Sequence, residues 1–266
     1  MIAEDKCINF ESLEERAQVI KTEFERRRPF RYVAIDEFCV DTVAVELARN
    51  FPKPDGNWID ASGLNTRRKL TSPPVREGTL ADQFFSEASS KRFLAWLKTV
   101  TAIEGLLVDE TYFGAGFHQT RDGGYLNIHV DFNRLPNGLD RRLNLLVYMN
   151  EVWMPDWGGE IELWDVDEKR CVFSSLPKLN RALIFETNEI SFHGQPNPVC
   201  TGGAAARNSF SIYYYSQGRP DHELVDTHST VYINLNGVRG LIRTLFNSIR
   251  QAAAFGPIRR RIRRGR

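Results

Sequence analysis

The tripeptide His129-Val130-Asp131, followed 62 residues later by His193 in Ser-Phe-His-Gly-Gln-Pro-type surroundings (Ser191-Phe192-His193-Gly194-Gln195-Pro196), constrains this chain more than any other feature. In a β-strand residues i and i+2 point to the same side, so His129 and Asp131 can grip one ion from a single strand end. A distant strand must then deliver His193 to the same point. Two imidazoles and one carboxylate on one face of a metal leave the opposite coordination positions open, which is what a non-haem Fe(II) centre needs. The fold therefore has to bring two strand ends together around a cavity.

The neighbourhood strengthens this reading. Asp122-Gly123-Gly124-Tyr125-Leu126-Asn127-Ile128 leads into the motif, and Arg141-Arg142-Leu143-Asn144-Leu145-Leu146-Val147-Tyr148-Met149-Asn150 and Trp157-Gly158-Gly159-Glu160-Ile161-Glu162-Leu163-Trp164 follow it. Arg207 opens Arg207-Asn208-Ser209-Phe210-Ser211-Ile212-Tyr213-Tyr214-Tyr215, 14 residues past His193. In this order the segments resemble the 2-oxoglutarate/Fe(II)-dependent oxygenase superfamily, in its prolyl-4-hydroxylase-like branch, over residues 105 to 217.

The resemblance implies iron bound by His129, Asp131 and His193, which would also be the catalytic residues. It implies a basic residue after the distal His that pairs with the far carboxylate of 2-oxoglutarate, and Arg207 stands there. A guanidinium suits that task, because its planar fork meets a carboxylate with two parallel charge-assisted hydrogen bonds. Family members often add a hydroxyl donor to the same carboxylate. Tyr125 is the candidate by position, with Tyr148 and Ser209 as alternatives. The implied cofactor set is Fe(2+), 2-oxoglutarate as cosubstrate and O2, with ascorbate as a candidate reductant. The implied reaction decarboxylates 2-oxoglutarate to succinate and CO2 and hydroxylates an unactivated C–H bond of an amino acid, a peptidyl (prolyl-type) residue or a small metabolite. The halogenating members replace the carboxylate ligand with a small residue, so Asp131 speaks against halogenation. The rival readings are a cupin-like metal-dependent isomerase, which has no need of Arg207, and a non-catalytic binding module on the same fold.

Other residues read more plainly. His118 is best taken as a hydrogen-bonded structural residue, and His222 and His228 receive no role. The run Tyr213 to Tyr215 reads as strand packing. Cys7, Cys39, Cys171 and Cys200 are scattered without a Cys-x-x-Cys pair, which supports neither a zinc ribbon nor a thioredoxin-type motif and points to reduced thiols in a cytoplasmic protein. A formal net charge of +1 argues against a globally electrostatic nucleic-acid binder. The start of the chain lacks the pattern of a signal peptide, and no apolar run approaches the roughly 18 residues of a transmembrane helix.

Periodicity places helices over 11–27, with Ser12 and Glu15 as a capping box, over 41–50 opened by Asp41, and over 79–98, with a strand over 30–35. From about residue 106 short β-rich runs take over: 106–118, 125–132, 142–150, 160–166, 170–174, 181–187, 190–194 and 206–215. The expected fold is mainly β with flanking helices, its core a jelly roll that the resemblance makes a cupin-like double-stranded β-helix. The expected organisation is a supporting region over 1–104, the catalytic core over 105–217 and an extension over 218–266, all in one structural domain. Residues 52–78, rich in Pro, and 133–141 read as lids or substrate loops, the latter offering Arg134 or Arg141 to a substrate. Residues 238–254 fit a basic amphipathic helix, and the stretch Arg250–Arg266, with seven arginines and no acid, suits an acidic partner.

Overall fold

The computed structural model describes residues 7–74 and 78–233, so the basic helix and the Arg-rich tail fall outside the described residues. Helices come first. The first predicted helix is broken in two, α1 (Phe10–Glu15) and α2 (Ala17–Arg26), and its cap is Asn9, whose Oδ1 accepts the Ser12 N–H at 3.3 Å, rather than the box expected at Ser12. Strand β1 (Tyr32–Ile35) and helix α3 (Asp41–Arg49) lie where the pattern put them. The long helix expected over 79–98 is also two, α4 (Leu80–Ala88) and α5 (Lys91–Thr101). Thr79 caps the first, accepting from the Asp82 N–H, and Ser90 caps the second, accepting from the Phe93 N–H. A serine that can satisfy an orphan amide at a new N-terminus makes a break at Ser89-Ser90 locally favourable.

Two short strands, β2 (Ile59–Asp60) and β3 (Thr66–Ser72), occupy the segment expected to be a lid. After β4 (Leu107–Val108), one long strand β5 (Gly116–Val130) carries His129, and Asp131 directly follows its end. Strands β6 (Asp140–Tyr148), β7 (Ile161–Asp165), β8 (Arg170–Ser175), β9 (Ala182–Glu186), β10 (His193–Gln195) and β11 (Arg207–Ser216) complete the core, and β12 (Val231–Tyr232) pairs with the end of β5. All pairings are antiparallel, in the order β1-β9-β6-β11-β5-β10-β7-β8. Strand β5 pairs through Gly116–Thr120 with β11 and through Leu126 and His129 with β10, so one strand serves both halves of the curled sheet. This is the double-stranded β-helix.

The period-two pattern of β6 and β11 divides inside from outside. Leu143, Leu145 and Val147 of β6 and Phe210, Ile212 and Tyr214 of β11 join Phe84, Phe85, Phe93 and Phe117 in one core beneath the helices. Each fully buried apolar side chain of this kind contributes about 1.5–3 kcal/mol. The alternate residues, Asn144 and Leu146 on β6 and Arg207, Ser209 and Tyr213 on β11, line a pocket on the other face.

Candidate active site

His129, Asp131 and His193 meet in that pocket, with one ligand atom from each lying within 4.8 Å of the others. In the sheet His193 stands directly opposite His129, and Gly194 permits the approach: a Cβ there would sit 2.8 Å from the Asn127 carbonyl oxygen. Each imidazole is turned by the carbonyl two residues before it. Nδ1 of His129 lies 2.9 Å from the Asn127 carbonyl oxygen, and Nδ1 of His193 lies 2.9 Å from that of Ser191. A carbonyl can only accept, so each Nδ1 carries the proton and each Nε2 presents a lone pair, the tautomer a metal requires. The two Nε2 atoms face Asp131, at 3.5 Å from Oδ1 for His129 and 3.4 Å from Oδ2 for His193.

Electrostatics agree with a metal-ready state. Burial, and then the neighbouring His129, pulls His193 down to about 3, so it is neutral at physiological pH. Burial works against ionisation of Asp131, yet the Arg141 guanidinium beside it holds its carboxyl well below the usual carboxylate range. Asn144 Nδ2 donates to Asp131 Oδ2 at 2.7 Å, and Arg141 Nη2 stands 3.0 Å from the same oxygen. Arg141 donates twice more to Asn144 Oδ1, at 2.9 and 2.8 Å, with its guanidinium 3.5 Å from the centre of the Tyr213 ring. The expectation that Arg141 sits on a free substrate loop is thus corrected. It is the buried opening of β6, and it orients a ligand. Arg134, the other residue offered to substrate, donates to Asp140 at 2.9 Å.

Across the pocket, buried Arg207 is fixed by its Nε, which donates to the Gly159 carbonyl at 2.8 Å, and by Nη2, which donates to the Tyr148 hydroxyl at 3.1 Å. Tyr148 is fully buried, and its hydroxyl, having accepted from Arg207, keeps its own hydrogen to give. Tyr125, the candidate by position, lies opposite Arg67 on the far side of a loop-like excursion in β5, while Tyr148, one of the alternatives, is the hydroxyl beside Arg207. Ser209 lines the pocket as well.

His118 lines the pocket with both ring nitrogens engaged, Nε2 at 2.9 Å from the Gly114 carbonyl and Nδ1 at 3.1 Å from Ser211 Oγ. His222 is exposed, and His228 pairs with Glu189 at 2.8 Å. Three features were invisible in the sequence. Asn144 looked like one polar position in an apolar strand. Tyr232 of β12 lays its ring 5.2 Å from that of His129, in a segment that showed no strand pattern. Lys69, within the stretch taken for a lid, points into the pocket.

The comparisons with known proteins agree with this geometry. Residues 115–215 match the model of the 2OG-Fe(II) oxygenase superfamily. Prolyl 3-hydroxylase OGFOD1 of Mus musculus is 37% identical over 79 residues, which are 28% of this chain and 14% of that protein. The chain therefore corresponds to only a small part of that relative's length. Among solved structures, a prolyl-4-hydroxylase from Pseudomonas putida is similar with a TM-score of 0.52 at 16% identity, over 74% of this chain and 99% of the other. A prolyl hydroxylase from Trichoplax adhaerens, in complex with a hypoxia inducible factor peptide fragment, is similar with a TM-score of 0.54 at 15% identity, over 78% and 93%. Residues 115–215 thus resemble the 2OG-Fe(II) oxygenase superfamily, and the chain shares its fold with solved prolyl hydroxylases.

Proposed function

We propose that the protein is an Fe(II)/2-oxoglutarate-dependent dioxygenase that hydroxylates an unactivated C–H bond, and that a peptidyl residue of the prolyl type heads its candidate substrates. The observation that carries the reading is the pairing of two poles in one pocket: two inward Nε2 lone pairs with an ionised carboxylate at one end, and a buried guanidinium backed by a phenol at the other. The similarity to prolyl hydroxylases supports the substrate class.

His129, Asp131 and His193 would hold Fe(II), and the donor set fits it, since three protein ligands on one face leave positions for a chelating 2-oxo acid and O2. Bound there, iron and 2-oxoglutarate supply the oxidising chemistry, with loss of CO2 and formation of succinate. The rest falls to the chain. Arg207 meets the far carboxylate, and Tyr148 adds its O–H to the same oxygen atoms. Asn144 and Arg141 keep the Asp131 carboxylate ionised and aimed, so that the ligand does not rotate when the pocket fills. The apolar walls, among them Leu146, Ile161 and Phe185, exclude water from the reacting positions.

Cys7, Cys39, Cys171 and Cys200 are all unbonded, which supports a reducing, cytoplasmic compartment. No helix among the described residues is long and apolar enough to cross a membrane.

The test is an anaerobic optical titration of the metal-free protein with Fe(II) and then 2-oxoglutarate. A visible metal-to-ligand charge-transfer band that requires both additions is the expected result. Iron binding without that band would reject the cosubstrate and move a cupin-like isomerase ahead.

A further inference from the structure

Strands β3, β5 and β11 lie side by side, and their register places Lys69 opposite Thr120 and Thr120 opposite Arg207. Directly opposed residues of antiparallel strands project from the same face. Lys69 and Arg207 thus flank the short Thr120 side chain in a single row on the pocket face, their backbones two strand spacings apart, about 10 Å. Both cationic side chains line the one pocket.

The turn of Lys69 into the pocket is built into the pairing. Between Arg67 and Lys69 the register jumps, because Arg67 faces Tyr125 whereas Lys69 faces Thr120. Strand β5 bulges out at Arg121–Gly124, and Arg68 takes a left-handed backbone with φ of 51°. Ser62 Oγ accepts the Arg68 N–H at 2.9 Å, and the Arg68 guanidinium donates to the Asp122 carbonyl at 2.7 Å, tying the bulge down. Irregularities of this kind beside a site re-aim a side chain. Here Arg67 and Arg68 stay exposed and Lys69 goes in.

The charges in the pocket do not balance. Asp131 is engaged by Arg141 and Asn144. Among the described residues Lys69 has no hydrogen-bond acceptor and no carboxylate within 4.0 Å. Burial pulls its ammonium down to about 8, and the next cause is the like charge of Arg207, ahead of the attraction of Asp131. Two neighbouring desolvated cations without a counter-charge cost stability unless an anion joins them. The metal ligands lie at the other end of β5, beyond the bulge, so the anion that fits between Lys69 and Arg207 is not the chelating head of a ligand but its far end.

We propose that Lys69 is a positioning residue for the cosubstrate: with Arg207 it forms a two-cation clamp that closes on the far carboxylate of 2-oxoglutarate. The inference rests on the function proposed above. Lysine on β3 supplies a point charge from one side, and arginine on β11 supplies the planar fork from the other. Acids of the same head group that lack the second carboxylate would leave both cations unanswered, which gives the pocket its discrimination.

The experiment compares 2-oxoglutarate with 2-oxobutanoate, which keeps the chelating 2-oxo acid and lacks the far carboxylate. Both are titrated anaerobically into the Fe(II)-loaded full chain and its Lys69→Met, Lys69→Gln and Lys69→Arg variants, following the charge-transfer band. The clamp requires Lys69→Met and Lys69→Gln to weaken 2-oxoglutarate by about 10- to 100-fold, the worth of a hydrogen bond to a charged group, while 2-oxobutanoate binding and Fe(II) affinity stay unchanged. Lys69→Arg should keep most of the affinity. The melting temperature of metal-free Lys69→Met should hold or rise, because a desolvated charge has been removed; a purely structural lysine would give the opposite sign. Equal weakening of both acids, or no weakening of either, overturns the clamp while leaving the oxygenase reading intact. Absence of the band in the unaltered protein overturns both.

Discussion

The two ends of the pocket are built in different ways. At the metal end each imidazole is oriented by a carbonyl two residues earlier in the chain, Asn127 for His129 and Ser191 for His193. At the carboxylate end every anchor is remote in sequence: Arg207 donates to Gly159 and Tyr148, 48 and 59 residues away, and Lys69 reaches the same row from a strand more than a hundred residues earlier. Local hydrogen bonds fix a ligand's tautomer as soon as the strand forms. Remote ones exist only when the sheet has curled, so the cosubstrate end depends on the fold as a whole and the metal end depends on two strand ends meeting.

The sharpest test of that contrast removes one ligand from the metal end. His193→Ala should reduce Fe(II) affinity by more than about 100-fold, beyond the 10- to 100-fold typical of losing a residue that merely supports a ligand, as read by anaerobic metal titration; a smaller loss would mean the ion sits elsewhere. Next, Arg207→Ala should weaken 2-oxoglutarate by about 100-fold through the loss of charge-assisted hydrogen bonds, with Fe(II) affinity unchanged in the same titration. If both ligands weaken together, the two ends are not separable.

The metal-free protein should also respond to acid. His193 is held down to about 3 when folded and returns to about 6.5 when unfolded, so below 6.5 the unfolded chain binds the extra proton. Its contribution is fully present above that range and is lost as pH falls toward 3, with a slope of up to about 1.4 kcal/mol per pH unit. Urea midpoints measured between pH 7 and 4 check this, and His193→Gln should flatten the slope. A smaller effect is expected from Asn144→Ala, which frees Asp131 Oδ2 and should cost about tenfold in Fe(II) affinity. The mildest is Tyr148→Phe, which removes one neutral hydroxyl and should raise the 2-oxoglutarate dissociation constant by about 2- to 10-fold. Tyr125→Phe serves as its comparison, and a larger effect there would return the hydroxyl role to Tyr125.

How far the site was legible follows from the same contrast. His129, Asp131 and His193 stood out because a strand's period of two puts i and i+2 on one side, a rule that acts within three residues. The β-rich core from residue 106 onward was legible for a similar reason, since alternation is local. The stretch 52–78 misled, because Pro52, Pro54, Pro73 and Pro74 are loop signals, yet β3 forms between them by pairing with β5. Arg141 misled as well: an arginine next to Asn-Gly and Pro reads as exposed, and only the stacking of its guanidinium on Tyr213 and its pairing with Asp131 make burial tolerable. The split of the helix over 79–98 was marked by Ser89-Ser90, which is a weak breaker until Ser90 caps the new end.

By itself, then, the sequence determined a β-rich core with a two-His, one-carboxylate site, because strand alternation and ligand chemistry are written into neighbouring residues. The tertiary structure decided which cations share that pocket, which hydroxyl stands beside Arg207 and which way Lys69 turns. Those choices depend on the register between strands distant in the chain, and register is fixed by the packing of the closed sheet, not by any one segment.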